Sequence, residues 1–309
     1  MNSEKETFQP KNTASKSLFY RFSQLVGFLL GARVFVAALL TFALYVSTFF
    51  LFNQEESLRN FVFDFKVHGI IFCTVLSILA GGIINQFYDF EKDHIMKPFR
   101  TRIQSFIQQK YFLYAYLGLS IISLGVAWMI SHRVFVFFVI YQFFMWFYSH
   151  KLSRILIINN LTFVSLTLYP FFGMMVYYET FSMKVFLMAI FLFLILLSID
   201  ITKDTLTKSV DKTFGYTTIP NYFKTNITKI IMISLLIITM AVSMKIIART
   251  GVSGFMGYYF AGGLFIIILC IYLFLDYSRR SKSATLNILR LWVFIGIIAM
   301  LLNGIESKI

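Results

Sequence analysis

Charge is what this sequence has least of. Only 14% of its 309 residues are Asp, Glu, Lys or Arg, whereas soluble domains carry about a quarter, so an ordinary water-facing surface is excluded. Cysteine is nearly absent too. Cys73 and Cys270 both lie inside apolar stretches, which removes a disulfide framework and a zinc site with paired-ligand spacing. The four histidines, His68, His94, His132 and His150, are scattered and offer no imidazole set for a transition metal. Proline is rare and no Gly/Ser-rich linker or low-complexity stretch interrupts the chain, so residues 1–309 read as one membrane-embedded domain.

What is present is apolar bulk. Hydrophobic residues make up 58% of the chain, 38 of them Phe, more than a soluble core absorbs but compatible with lipid as the solvent. A membrane span needs about 20 apolar residues, and spans fall near 28–52, 67–88, 112–130, 133–148, 158–178, 183–202, 228–247, 254–275 and 286–303. The fold class is therefore an all-α integral membrane protein of about nine transmembrane helices.

The segment Met1 to Lys16 is polar and mixed in charge, without the basic-then-apolar order of a signal peptide. Residues 1–22 read as a cytosolic tail and interfacial segment. With that end inside, 19 Lys and Arg fall on the cytoplasmic side and 7 outside, and the positive-inside rule prefers this arrangement to its inverse. The chain then has a cytoplasmic N-terminus and an outer C-terminus, in the cell membrane. The net charge of +14 is spread over short loops rather than gathered on a soluble face, which speaks for orientation and against nucleic-acid binding.

Two inner loops are long and polar, Asp89 to Lys110 and Lys203 to Lys229. At the end of the second span, Asn85, Asp89 and Asp93 are spaced i, i+4, i+8, which lines three oxygen-bearing side chains along one helical face. Like charges so placed repel, and a hard divalent cation is what relieves them. The end of the sixth span repeats the pattern with Asp200 and Asp204, and Asp211 rejoins that face if the helix continues. Both spans run in the same direction, so the clusters meet at one face of the membrane. Magnesium is the expected ion, since it is usually held by one or two carboxylates plus substrate phosphates.

Basic residues attend both clusters: Lys97, Arg100 and Arg102 after the first, Lys203, Lys208 and Lys212 near the second. Arg forks and Lys point charges beside magnesium are what a diphosphate requires.

These segments resemble the UbiA superfamily of intramembrane prenyltransferases. The first motif is matched by Asn85 to Asp93 followed by Lys97-Pro98-Phe99-Arg100, the second by Asp200, Asp204, Thr207, Asp211, Gly215, Thr218, Ile219 and Pro220. A third segment, Tyr148-Ser149-His150-Lys151-Leu152-Ser153-Arg154, is similar to the stretch after the family's fourth helix. Gln86 and Thr207 stand where the family has Asp, and Ser153 where it has Lys.

The resemblance implies a UbiA-like bundle with its active site at the cytoplasmic face and a magnesium-dependent transfer from a polyprenyl diphosphate to a hydrophobic acceptor. An aromatic quinone precursor is the preferred acceptor, with a glycerol-phosphate or other non-aromatic acceptor as the alternative. Asp89, Asp93, Asp204 and Asp211 would be catalytic and, with Asn85, hold the metal. Asn85, Lys97, Arg100, Arg102, Lys151, Arg154, Lys208 and Tyr148 would bind substrate. A membrane transporter is the competing reading, and it expects charges at mid-bilayer and broken helices in matched halves.

Overall fold

The structure, a computed structural model, describes residues 26–53, 57–104 and 108–306. The expected tail at 1–22 lies outside the described residues. Nine long helices carry the architecture among them: α1 Val34–Ser47, α2 Phe65–Tyr88, α3 Gln109–Ile130, α4 His132–His150, α5 Ile158–Tyr177, α6 Met183–Thr213, α7 Thr225–Thr250, α8 Gly254–Asp276 and α9 Arg279–Glu306. No strand occurs among the described residues. This is an integral membrane protein.

Eight of these elements are long and apolar enough to cross a membrane, α1 being counted through Phe52. The exception is α4, whose 19 residues include His132, Arg133, Gln142, Trp146 and Ser149. Part of that polarity is used inside the protein, since Gln142 Nε2 donates to Ser77 Oγ of α2 at 3.1 Å. Ser77 in turn meets Ser123 of α3 at 3.1 Å, and Ser123 Oγ donates to the Cys73 carbonyl at 3.0 Å. Hydrogen bonds of this kind tie helices together where lipid supplies no hydrophobic drive.

Burial separates central from peripheral helices. The most apolar window is 67% buried in α2 and 56% in α6 but 11% in α3, so the two helices bearing the carboxylates are the interior ones. Small residues let α2 sit there: a Cβ on Gly81 would lie 1.9 Å from Met145 Cε, and one on Gly82 would lie 3.0 Å from the Ala32 carbonyl oxygen. Short connections are fixed locally. Ser131 alone separates α3 from α4, and its hydroxyl caps α4 by accepting from the Val134 amide at 3.2 Å.

Three expected boundaries differ. The span foreseen as 28–52 is broken, because helical residues 26–31 stop at a turn where Arg33 has φ 53°. The break lies against Gly82 of α2, a contact that hydropathy cannot register. The segment 89–110 is mostly helical, with short helices Phe90–Met96 and Pro98–Gln104. Finally, α6 does not stop near residue 202 but continues to Thr213, which carries Asp204 and Asp211 on the same rod as Asp200.

Candidate active site

The first carboxylate row sits where α2 ends. Asn85 Nδ2 donates to Asp89 Oδ2 at 3.0 Å, while Asp89 terminates α2 and leads into helix Phe90–Met96. The row survives the break because the Asp93 amide still donates to the Asp89 carbonyl at 2.8 Å. Asp93 is 6% exposed. Its Oδ1 accepts from Lys97 Nζ at 2.9 Å, and its buried Oδ2 has no hydrogen-bond partner.

The second row is more deeply enclosed, with Asp200, Asp204 and Asp211 only 3%, 5% and 1% exposed. Asn160, from the first turn of α5, donates its amide to Asp200 Oδ2 and Asp204 Oδ2, both at 2.8 Å. Lys203 pairs with Asp200 and lies 3.9 Å from Asp204 Oδ1. Asp211 Oδ2 accepts from Thr207 Oγ1 at 2.5 Å. Buried carboxylates on one helix face need such compensation, since an unpaired buried charge is far costlier than a paired one.

Two contacts join the rows. Lys92, from the helix after the first row, reaches Asp211 Oδ1 at 2.6 Å. Tyr216, from the turn after α6, donates its hydroxyl to Asp89 Oδ1 at 2.5 Å. The Lys92 ammonium lies 3.9 Å from the Tyr216 ring centroid, and the Arg154 guanidinium lies 5.4 Å from it. Burial, followed by the neighbouring Asp89 charge, pushes the Tyr216 phenol well above its ordinary pKa, so it remains a donor to Asp89. Tyr148, near the end of α4, is in electrostatic range of Asp200, Lys203, Asp204 and Asp89.

The sequence of the "UbiA prenyltransferase family" matches this chain over residues 32–298. The chain belongs to that family. It is therefore a prenyltransferase in class, and its solved neighbours share the fold. A digeranylgeranylglyceryl phosphate synthase superposes with a TM-score of 0.71 at 19% identity, covering 92% of this chain and 99% of its own. A UbiA homologue from Archaeoglobus fulgidus, solved with GPP and Mg2+, gives 0.63 at 13% identity over 89% and 99% of the two chains. An apo UbiA homologue from Aeropyrum pernix K1 gives 0.64 at 15% identity over 87% and 97%. No curated protein matches the sequence closely enough to count as a relative.

Where this UbiA chain departs from the family motifs, the replacements have local work. Gln86 is turned from the carboxylate row into a reciprocal amide pair with Gln104, at 2.6 and 3.2 Å. That pair, together with Thr101 Oγ1 donating to the Asp93 carbonyl at 3.1 Å, folds helix Pro98–Gln104 back against α2. Thr207 holds Asp211 in place of adding a charge beside it. Ser153 is buried with its Oγ lacking a hydrogen-bond partner, and nothing in the structure explains that choice.

The structure brings Asn85, Asp89, Asp93, Asp204, Asp211, Lys97, Tyr148 and Arg154 to one end of the bundle. Arg100 and Arg102 lie on helix Pro98–Gln104, and their side chains lie outside the described residues. Lys151 is exposed and makes no ion pair to a carboxylate among the described residues. Lys208 is in electrostatic range of Lys282 in the first turn of α9 rather than being paired with the carboxylates. The motif reading assigned no part to Lys92 or Tyr216, and it set Asn159-Asn160 beyond the third segment without giving Asn160 a role. Polar side chains inside apolar runs were the available signal for Asn160, and its burial at 0% exposure gives that signal its meaning.

Proposed function

We propose that this protein transfers a prenyl group from a prenyl diphosphate to a lipid-soluble acceptor with magnesium as cofactor. The carrying observation is the convergence of two carboxylate rows, joined by Lys92–Asp211 and Tyr216–Asp89, at one end of an apolar bundle. The donor set is oxygen-only and fits a hard cation. Two of its buried oxygens, Asp93 Oδ2 and Asn160 Oδ1, have no hydrogen-bond partner, and Lys92 and Lys203 neutralise the carboxylates. Among the described residues no three acidic, imidazole or thiol groups close on a single point.

Asn85, Asp89, Asp93, Asp204 and Asp211 would hold the magnesium. Bound there, it neutralises charge on the diphosphate as the allylic carbon–oxygen bond breaks. The protein's own groups do the positioning. Asn160 fixes the facing oxygens of Asp200 and Asp204, Tyr216 orients Asp89, and Lys97, Lys203 and Arg154 offer cations to phosphate oxygens, with Arg100 and Arg102 on the adjoining helix. The Tyr148 ring would offer its face to the allylic cation. The GPP and Mg2+ of the Archaeoglobus fulgidus homologue support this reading.

The donor's tail fits an apolar cavity bounded by α1, α2, α5, α6, α8 and α9, with about 1110 Å³ of unfilled space counting the part open to the surroundings. For the acceptor, a pocket of about 260 Å³ brings Lys92 and Arg154, which suit a phosphate-bearing lipid, beside Glu91 and the rings of Phe87, Tyr88, Phe90 and Phe214. The similarity to a digeranylgeranylglyceryl phosphate synthase supports the phosphate-bearing lipid. Residues 1–309 act as one domain, and the 19-to-7 distribution of basic residues supports a site facing the cytoplasm of the cell membrane, with the N-terminus inside and the C-terminus outside.

The testing experiment is magnesium-dependent binding of farnesyl and geranylgeranyl diphosphate to purified protein. Binding abolished by chelator and by Asp89→Asn is the expected result. Binding indifferent to both would refute the site.

A further inference from the structure

The apolar cavity has a defined floor, and this inference rests on the prenyl-donor reading above. Its inner limit on α6 is Leu196, one helical turn before Asp200, and its outer limit there is Met188. Twelve residues separate Met188 from Asp200, which at 1.5 Å per residue is about 18 Å of helix. Met256 of α8 and Met300 of α9 line the same outer end.

At that end the helix type changes. After Ser47, α1 passes into a π-helical turn, Thr48–Phe52, a rare element that gathers at functional positions. The turn is wedged on several sides. Phe50 packs on Gly304 of α9 so closely that a Cβ there would lie 2.0 Å from its ring, and the Phe52 ring meets Phe171 of α5 at 5.0 Å. Thr180 Oγ1 donates to the Phe52 carbonyl at 3.3 Å, and Leu51 forms part of the cavity wall.

We infer that the π-helical turn Thr48–Phe52 plugs the outer end of the tail cavity and limits the prenyl donor to about four isoprene units. An extended unit of four backbone bonds, each ~1.5 Å and zigzagging, spans roughly 5 Å, so about four fit between Asp200 and Met188. The selection is steric. A tail moving from lipid into this cavity exchanges one apolar surrounding for another and gains little per added carbon, so affinity is flat up to the limit and falls beyond it.

The experiment measures magnesium-dependent binding of C10, C15, C20, C30 and C40 prenyl diphosphates to the full chain in nanodiscs. Wild type should bind C10 to C20 within about threefold of one another, and C30 and C40 roughly tenfold or more weakly, because overpacking a filled cavity is costly. Ala43 lines the cavity about one and a half helical turns before the plug, so Ala43→Phe should keep C10 binding and lose C20. Leu51→Ala, which shortens the turn's own side chain in the cavity wall, works in the other direction and should bring C30 to within about threefold of C20. A flat profile out to C40 in wild type overturns the plug while leaving the donor site standing, as does C20 binding unchanged in Ala43→Phe. Magnesium-dependent binding of no donor at all, by folded protein, overturns the donor reading itself. If Ala43→Phe binds nothing because it misfolds, Leu51→Ala decides: no gain for C30 rejects the plug.

Discussion

The two carboxylate rows each open on an i, i+4 pair but sit in different surroundings. The Asn85–Asp89–Asp93 row straddles a helix end, with Asn85 and Asp89 partly exposed, and its partners are Tyr216 and Lys97. The Asp200–Asp204–Asp211 row lies on one continuous helix, almost wholly enclosed, and each acid is neutralised or hydrogen-bonded from inside the protein. Enclosure fixes the second row in advance. The first row sits on a jointed segment that also carries the basic run, so it is suited to adjusting around an arriving diphosphate.

The sharpest way to break this comparison is to remove one acid from each row. Asp204→Asn should lower turnover by roughly 10³-fold, the upper range for losing one preorganised electrostatic element. Asp93→Asn should cost less, because that carboxylate already shares its charge with Lys97. Steady-state rates at saturating donor and magnesium check the order, and a larger loss in Asp93→Asn would reverse the assignment of the rigid row.

Next in size is Asn160→Ala. Asn160 holds two carboxylate oxygens 2.8 Å from one amide nitrogen, an outer-shell role whose loss typically costs about 10–100-fold in metal affinity. Magnesium titration of donor binding should show that weakening, with Asn160→Asp failing to rescue it because a third negative charge replaces the donor. Maximal donor occupancy at high magnesium should recover, which a merely misfolded variant would not show.

Lys203→Met sharpens the same contrast through stability. Removing one member of a buried pair costs about 3–5 kcal/mol, but the Lys203 side chain is 42% exposed, so solvent reduces the expected loss to about 2 kcal/mol. Thermal unfolding in detergent should show it, and Lys203→Met/Asp200→Asn should recover most of it. Lys97→Met, on the first row, should shift unfolding less.

How much of this was legible in the sequence follows from how local each feature is. The spacing of Asn85, Asp89, Asp93, Asp200 and Asp204 was readable because helical periodicity is a property of neighbouring residues. That Asp211 joins them depended on α6 continuing past residue 202, which a hydropathy window ends where the polar residues begin. The contacts completing the site, Asn160 to Asp200 and Asp204, Lys92 to Asp211 and Tyr216 to Asp89, join residues far apart in the chain, and no spacing rule reaches them. The break at Arg33 was hidden for a related reason: it packs against Gly82 on another helix. The π-helical turn leaves no composition signal at all, being one more apolar stretch.

The smallest expected effect belongs to Tyr216→Phe. It deletes one hydrogen bond, to Asp89 Oδ1 at 2.5 Å, and a hydrogen bond to a charged group contributes about 1.5–3 kcal/mol when buried. Asp89 is partly exposed and water replaces the lost donor, so the effect should be near 1 kcal/mol, about a fivefold weakening of magnesium-dependent donor binding. The alkaline side gives an independent readout. The folded-state pKa of Tyr216 is raised above its ordinary value of 10.0, so as pH rises through that value the unfolded chain loses its proton first and stability declines. Tyr216→Phe removes that contribution, and its unfolding midpoint should fall less steeply above pH 10 than that of wild type. Equal slopes would mean that the phenol is not held against Asp89, and the link between the rigid row and the jointed one would then rest on Lys92 alone.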